Sequence, residues 1–234
     1  MALKDDYLIK KITYQDAMEI VVNKHYMGRK GPCSHAFGLF ERGTSHEQLD
    51  LFDNNKDKLI GVITYGVSAS STLLRGVCGE EEAKNVYELT RLWIEDSTPK
   101  NAESFFIGNT IKTLDREVIV SFSEITQGHV GTVYQASNFF YCGLSAKFRD
   151  PKVKGLEHKH HTSYAHGMNM AQVREKYGAE NVYYVDRPRK HRYVFFNAKK
   201  KRRKELIGKL NYKIEPYPKK PRSSVILPNL QCDF

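Results

Sequence analysis

No apolar run in this 234-residue chain approaches the roughly 18 residues that a membrane-crossing helix needs. The opening MALKDDYLIKK has no apolar stretch before its charges repeat, which argues against a secretory leader. Cysteine is sparse: Cys33, Cys78, Cys142 and Cys232 lie far apart with no CxxC pair. Neither a disulfide framework nor a zinc knuckle is indicated, and that usage suits a reducing cytoplasm. GxxxxGK[ST], GxGxxG and GxSxG are all missing, which weighs against ATPase, dehydrogenase and α/β-hydrolase chemistry. There is no internal repeat.

What is present suits a folded domain. Hydrophobic residues make up 40% and charged residues 27%, and the length allows one substantial core. The formal charge of +10 is unevenly placed. Between Lys147 and Arg222 there are 22 Lys/Arg and 7 Asp/Glu, a local +15, so the remainder sums to −5. Such a field favours a polyanion, although charge alone does not separate DNA, RNA and a merely solvated surface. We expect a main domain over residues 1–196 and a basic, proline-containing extension over 197–234.

Residue patterning gives the elements. YLIKKIT (7–13) reads as a strand, with Thr13 capping a helix that puts Ala17, Ile20, Val21 and Lys24 on one stripe. HYMGRKGPCS must be a loop, and HAFGLFE and KLIGVITYG are strand candidates, either an antiparallel hairpin with a long connection or with DLF (50–52) as a strand fragment between them. VYELTRLWIED alternates, placing Leu89, Arg91 and Trp93 on one face. AESFFIGNTIKTL reads as a helix, EVIVSFSE as a strand and HVGTVYQASNFFYC as a second helix bearing Tyr134, Ser137 and Tyr141 on one side. MAQVREKYG should be a helix ended by Gly178, NVYYVD and KHRYVFF strands, and NAKKKRRKELIGKL a basic helix. The final PYPKKPRSSVILPNLQCDF should wrap or fray. The order implies an α+β fold around a mixed sheet.

Several residues stand out chemically. A lone arginine between Leu89 and Trp93 needs an anionic ligand or a salt bridge, so Arg91 is a candidate for either. Gly128 and Gly131 permit close approach at the strand-to-helix junction, where Tyr134 and Tyr141 could handle protons. His25 and Tyr26 pair a near-neutral imidazole with a stacking ring. His158, His160, His161 and His166 match neither HExxH nor a finger, so a phosphate-contacting loop is favoured over a metal site. Arg187, Arg189, Lys190 and Arg192 interleave with aromatics, a pattern that grips a nucleic-acid backbone while stacking bases. Lys199, Lys200, Lys201, Arg202, Arg203 and Lys204 add a more generic cationic run.

VVNKHYMG (21–28), YELTRLWI (87–94), VSFSE (120–124) and GHVGTVYQASNFFYCG (128–143) together resemble the phage Mom DNA-modification family. That family is itself similar to GCN5-related N-acyltransferases (GNAT). The resemblance implies a GNAT-like mixed sheet, splayed near its middle strands, with an acyl carrier such as acetyl-CoA bound in the opening. It implies conversion of adenine in DNA to its N6-carbamoylmethyl form, with double-stranded DNA as partner and the host cytoplasm as location if the chain is phage-encoded. By the same resemblance His25 and Tyr26 form the family's HY pair, and Arg91 is the arginine of the central strand. Ser121 precedes the YQ helix, and Tyr134 and Tyr141 match tyrosines near the acyl or substrate end. The GNAT (R/Q)xxGx(G/A) turn is replaced by DSTPKNAESFFIG. Amides of Ala102, Glu103 and Ser104 are then the candidate carrier-binding groups, joined by Asn138. Two alternatives stay open: an N-acyltransferase for another amine, and a DNA-binding protein without activity.

Overall fold

Aliphatic alternation in Tyr7–Lys11 (β1), His35–Glu41 (β2) and Lys58–Gly66 (β3) builds an antiparallel meander, Leu8 opposite Phe40 and Phe37 opposite Ile63. The structure, a computed structural model, describes residues 3–43, 57–159 and 161–219, so DLF (50–52) lies outside the described residues. Val86–Ile94 (β4) joins β3 antiparallel, and Val118–Glu124 (β5) lies parallel to β4. Lys190–Phe196 (β9) pairs with β5 along its whole length and with Phe140–Leu144 (β6) on its other side. The sheet order is therefore β1-β2-β3-β4-β5-β9-β6. Phe148–Val153 (β7) and Val182–Arg187 (β8) form a separate two-stranded ribbon. This is the splayed, mixed α+β sheet that the resemblance implies.

Period-two alternation divides the side chains between two layers. Phe37, Ile63 and Ile119 meet Phe106, Ile107 and Ile111 of Ala102–Ile111 (α4) on one face. The opposite face is covered in two parts. Tyr14–Lys24 (α2) brings Ala17, Met18 and Val21 onto Ala36 and Val62, while Lys24 stays exposed and Met18 takes the buried place. Thr13 caps this helix by accepting from the Asp16 amide at 3.1 Å. Val77 and Cys78 of Ser71–Cys78 (α3), a helix that the patterning did not reveal, join Val118, Val120 and Val194. Lys200–Gly208 (α8) adds its fully buried Leu206 to the same cluster.

Two expectations are corrected here. Residue 196 is no boundary, because α8 is core and the Tyr217 hydroxyl donates to the Phe139 carbonyl at 2.8 Å. Residues 220–234, the rest of the expected extension, lie outside the described residues. Nor is 129–142 one helix. Thr132–Ala136 (α5) stops after little more than a turn, and Asn138 in the left-handed region (φ 59°) turns the chain into β6. Phe140 and Tyr141 then pair with Val194 and Tyr193. Aromatic residues suit a pleated surface, and pairing with β9 prevails over the helical spacing. Phe139 is buried, whereas Ala136 is exposed. Leu3–Asp6 (α1), His161–Tyr164 (α6) and Met170–Tyr177 (α7), the last ended by Gly178 (φ 85°), complete the described elements. Among the described residues no helix is long and apolar enough to cross a membrane.

Arg202, expected on a nucleic-acid surface, is instead a structural cation. Its guanidinium reaches Glu82 at 2.7 Å and Glu117 at 2.9 Å, and Lys209 reaches Glu82 at 2.8 Å. Burial alone would raise the Glu82 carboxyl, but hydrogen bonds from Lys209, Asn85 and Arg202 bring it down to about 2. Since the folded value lies below the unfolded one, this stabilisation is complete above roughly pH 5 and is lost as pH falls towards 2. Replacing Glu82 with Ala removes the buried acid that Arg202, Lys209 and Asn85 share, although Arg202 keeps Glu117 and Lys209 keeps Glu205, and should cost about 2 kcal/mol at pH 7. Urea midpoints at pH 7 and pH 3 check this: the gap between variant and parent should narrow at the lower pH.

Candidate active site

β4 and β5 are paired only through Val86, Tyr87 and Glu88 with Val118, Ile119 and Val120. Thr90 is then an extra residue on β4, since Leu89 faces Tyr65 and Arg91 faces Thr64. Such a bulge bends a strand and re-aims the side chains beside it. Its hydroxyl is held by the Pro32 carbonyl at 2.9 Å. β4 continues with β3 and β5 with β9, so the two strands part. A cleft of about 820 Å³ opens between them, walled by the 25–32 loop, β4 from Glu88 to Ile94, the end of β5 and the 129–134 turn.

Arg91 forms the hinge of this wall. It is 9% exposed, and carbonyls hold it: Nε donates to Arg29 (3.2 Å), Nη1 to Thr90 (2.6 Å) and Nη2 to Lys30 (3.1 Å). The sequence left an anion or a salt bridge open; the structure gives a backbone tether between β4 and the loop. Gly31 makes that approach possible, because a Cβ there would stand 3.1 Å from the Arg91 Cζ.

His25 ends α2 and is 8% exposed. Its Nδ1 accepts the Met27 amide at 3.1 Å, and its ring stacks on Tyr26 with centroids 4.4 Å apart. Burial, then the neighbouring Arg91 charge, lowers its pKa to about 4. At neutral pH the imidazole is therefore uncharged, and with Nδ1 occupied the proton sits on Nε2. In that state Nε2 is a hydrogen-bond donor. The Tyr26 ring is 54% exposed and lies edge-on to His129 at 5.9 Å.

Tyr134 reaches the cleft from the first turn of α5. Burial pushes its pKa up to about 12, partly offset by the Ser121 hydroxyl, so it remains a phenol at working pH. Ser121 lies beneath, fully buried, its hydroxyl donating to the Leu89 carbonyl at 3.2 Å. Tyr141 is not a cleft residue. It lies behind Tyr193, whose ring is 5.3 Å from both phenols, and bonds the His191 Nδ1 at 2.9 Å. Its expected partnership with Tyr134 fails because β6, not a helix, carries it.

The carrier-binding candidates divide. Of the three candidate amides, that of Ala102 is spent on the Pro99 carbonyl. Ser104 and Asn138 line a second groove of about 380 Å³, whereas Glu103 faces the main cleft beside Asp96. Two carboxylates at this end oppose a diphosphate, so these residues do not fit the charged end of a CoA.

The basic candidates are also sorted. Arg187 is bound by Asp150 and lies 4.8 Å from the Phe148 ring centroid. Arg189 clamps the Leu144 and Ser145 carbonyls, and Lys190 lines the cleft while pairing with Glu124 at 2.7 Å. Arg192 stacks on Tyr212 and Arg203 lies over Phe140 and Phe195. Lys199, Lys200, Lys201 and Lys204 are exposed. Of the histidine run, His160 lies outside the described residues. Among the described residues no group of three or more His, Cys, Asp or Glu is placed to hold a metal ion. Patterning missed Gly31, Glu88 and His129. Glu88 stood in plain view, as the acid of an otherwise apolar strand end, and it lines the cleft within the electrostatic reach of both Arg91 and Tyr134.

The family model described as "Mom protein family" matches residues 6–219. The chain is 29% identical over 216 residues to the methylcarbamoylase mom of Escherichia phage Mu, covering 87% of this chain and 80% of that relative. Among solved structures, Arabidopsis thaliana NAA60 in complex with acetyl-CoA aligns with a TM-score of 0.47 and 8% identity, over 81% of this chain and 98% of that one. Spermidine/spermine N-acetyltransferase SpeG from Vibrio cholerae aligns at 0.44 and 10%, over 86% and 99%. Likenesses this distant carry no weight for the chemistry.

The tether gives a direct expectation. Gly31→Ala should displace the loop and lower turnover about tenfold or more, with a small effect on the melting temperature. Arg91→Ala should do the same and also destabilise the fold by about 2 kcal/mol, as charge-assisted bonds are lost. Kinetics and calorimetry on both variants check it; unchanged turnover in Gly31→Ala would remove the tether from the site.

Proposed function

The chain belongs to the Mom protein family, and from that premise we propose that it is a DNA base-modifying transferase that adds a carbamoylmethyl-type group to the exocyclic amine of adenine. One observation carries this reading most. The parted strands hold a neutral histidine donor, a phenol and a carboxylate around one cleft whose rim bears Arg29, Lys30 and Lys190. The phage Mu relative is named for methylcarbamoyl chemistry, an isomer of the carbamoylmethyl group, which supports a transferred group of this composition.

The exocyclic amine lies inside the duplex stack, so the base must be extruded into the cleft. The open Tyr26 ring at the mouth supplies a stacking surface, with His129 at its edge. The amine is a weak nucleophile because its lone pair is delocalised into the ring, which puts the demand on positioning and on proton transfer. Glu88 accepts the proton that the amine loses. The His25 Nε2–H and the Tyr134 hydroxyl face the donor's polar group, where negative charge grows. Arg91 acts through the loop it anchors and is a positioning residue. When bound, a carrier would supply the group activated at its methylene carbon, so that the amine nitrogen bonds that carbon while the carrier leaves with the electron pair of the bond that breaks; its charged end would have to lie elsewhere than beside Glu103.

Nucleosides from the DNA of cells making the protein should include a deoxyadenosine heavier by one carbamoylmethyl group. Glu88→Gln and Tyr134→Phe should lower its yield about 100-fold or more while DNA affinity is kept. Mass spectrometry reads the first result and a binding assay the second. Abundant folded protein with no new nucleoside in DNA would contradict the proposal, and product formed on an amine without DNA would favour the other-amine transferase.

A further inference from the structure

Residues 145–189 leave the sheet at its β6 edge and return to it as β9. The β6–β9 ladder ends at Leu144 opposite His191, and a second ladder starts just beyond, at Phe148 opposite Arg187, and runs to Val153 opposite Val182. The hairpin is thus prolonged off the sheet by six residue pairs, about 20 Å at strand rise. Its far end has a core of its own: Val153, Tyr164, Ala165 and Val173. The Tyr164 hydroxyl donates to the Pro151 carbonyl at 2.9 Å, and α7 starts with a reciprocal cap between Asn169 and Gln172. These contacts make a stiff arm rather than a loop.

The period-two pleat gives the ribbon two faces. Val153 and Val182 lie on the one that the arm's helices cover. Phe148, Lys152, Val185 and Arg187 lie on the other, and Phe148 is 56% exposed and Val185 44%. Arg187 is oriented by Asp150 and by the Phe148 ring, which leaves its planar fork in a fixed direction. The segment 147–190 holds ten Lys/Arg against five Asp/Glu. Lys147, Lys154, Lys159, Arg174 and Lys176 are exposed. Asp150, paired with Arg187, shares the face of Phe148 and Val185, and the exposed Lys147 and Lys154 adjoin the two ends of β7. An apolar strip with a cation at each end suits a duplex, whose major groove is about 12 Å wide, admits a two-stranded ribbon and shows thymine methyls between its phosphates.

We propose that residues 145–189 are a duplex-DNA docking arm whose β7–β8 ribbon enters the major groove, Phe148 and Val185 against base edges and the flanking lysines on phosphates. The inference rests on the transferase reading and adds where the duplex sits. Arg189 fixes the arm's root on the Leu144 and Ser145 carbonyls, and the next residue, Lys190, lines the cleft. A duplex on the arm is therefore held beside the cleft mouth.

The test is binding by the full chain to duplex DNA and duplex RNA of one sequence across a salt series. Lys147→Glu with Lys154→Glu should lower the slope of log K against log salt by about 2 and weaken binding tenfold or more at low salt. Phe148→Ser with Val185→Ser should keep the slope and erase any preference for thymine over uracil in the duplex. Both variants should melt as the parent does. Duplex RNA should bind more weakly, its major groove being too narrow for a ribbon. Parent-like binding by both arm variants, in a parent that binds and modifies DNA, overturns the arm and leaves the transferase reading intact. Equal affinity for duplex RNA overturns groove entry. A parent without DNA affinity overturns both readings.

Discussion

The grip of the Arg91 guanidinium on three carbonyls is the interaction on which the cleft depends. Two of those carbonyls belong to the 29–30 loop and the third to the bulged Thr90 of β4 itself. A buried cation is costly unless its donors are satisfied, and here the same bonds that satisfy it fasten the loop carrying His25 and Tyr26 to the central strand. Gly31 leaves room for the contact, and Thr90 adds a second fastening through Pro32. Burial, with the guanidinium charge as the smaller contribution, keeps the His25 imidazole neutral, so Arg91 shapes the wall and adds to the lowered pKa of its neighbour.

The opened sheet is held from the far side. β9 pairs with β5 over seven positions and prevents the parted strand from drifting, while the Ser121 hydroxyl bridges back to the Leu89 carbonyl just past the fork. Behind β5 the rings of Tyr134, Tyr193 and Tyr141 pack in series, which fixes the one phenol that reaches the cleft. The price of this rigidity is a cleft with carboxylates at its α4 end, where Asp96 and Glu103 disfavour a diphosphate. The same strand β9 leads outward to the ribbon arm, so the reacting centre and the cationic surface share a single structural element.

Much of the fold was legible in the residues. Strand-like apolar runs located β1, β2, β3 and β5, alternation located β4, and Gly178 marked the end of α7. Helical spacing misled at 129–142, where pairing with β9 decides the outcome and is not visible locally. The cleft was legible as a set of residues but not as roles. His25 and Tyr26 are adjacent in sequence, yet the histidine's donor state depends on the Met27 amide and on an arginine 66 positions away. Tyr141 looked equivalent to Tyr134 until its strand turned it towards His191. Cationic residues read as one surface were sorted by partners far along the chain, Arg202 into an acid cluster and Lys190 into the cleft.

The most direct test of this electrostatic account is nitrogen NMR of the His25 ring in the intact protein. A neutral imidazole protonated at Nε2, with Nδ1 shifted as an acceptor and a titration midpoint about 4, is the predicted result. A midpoint near the ordinary histidine value of about 6.5, or a proton on Nδ1, would contradict it.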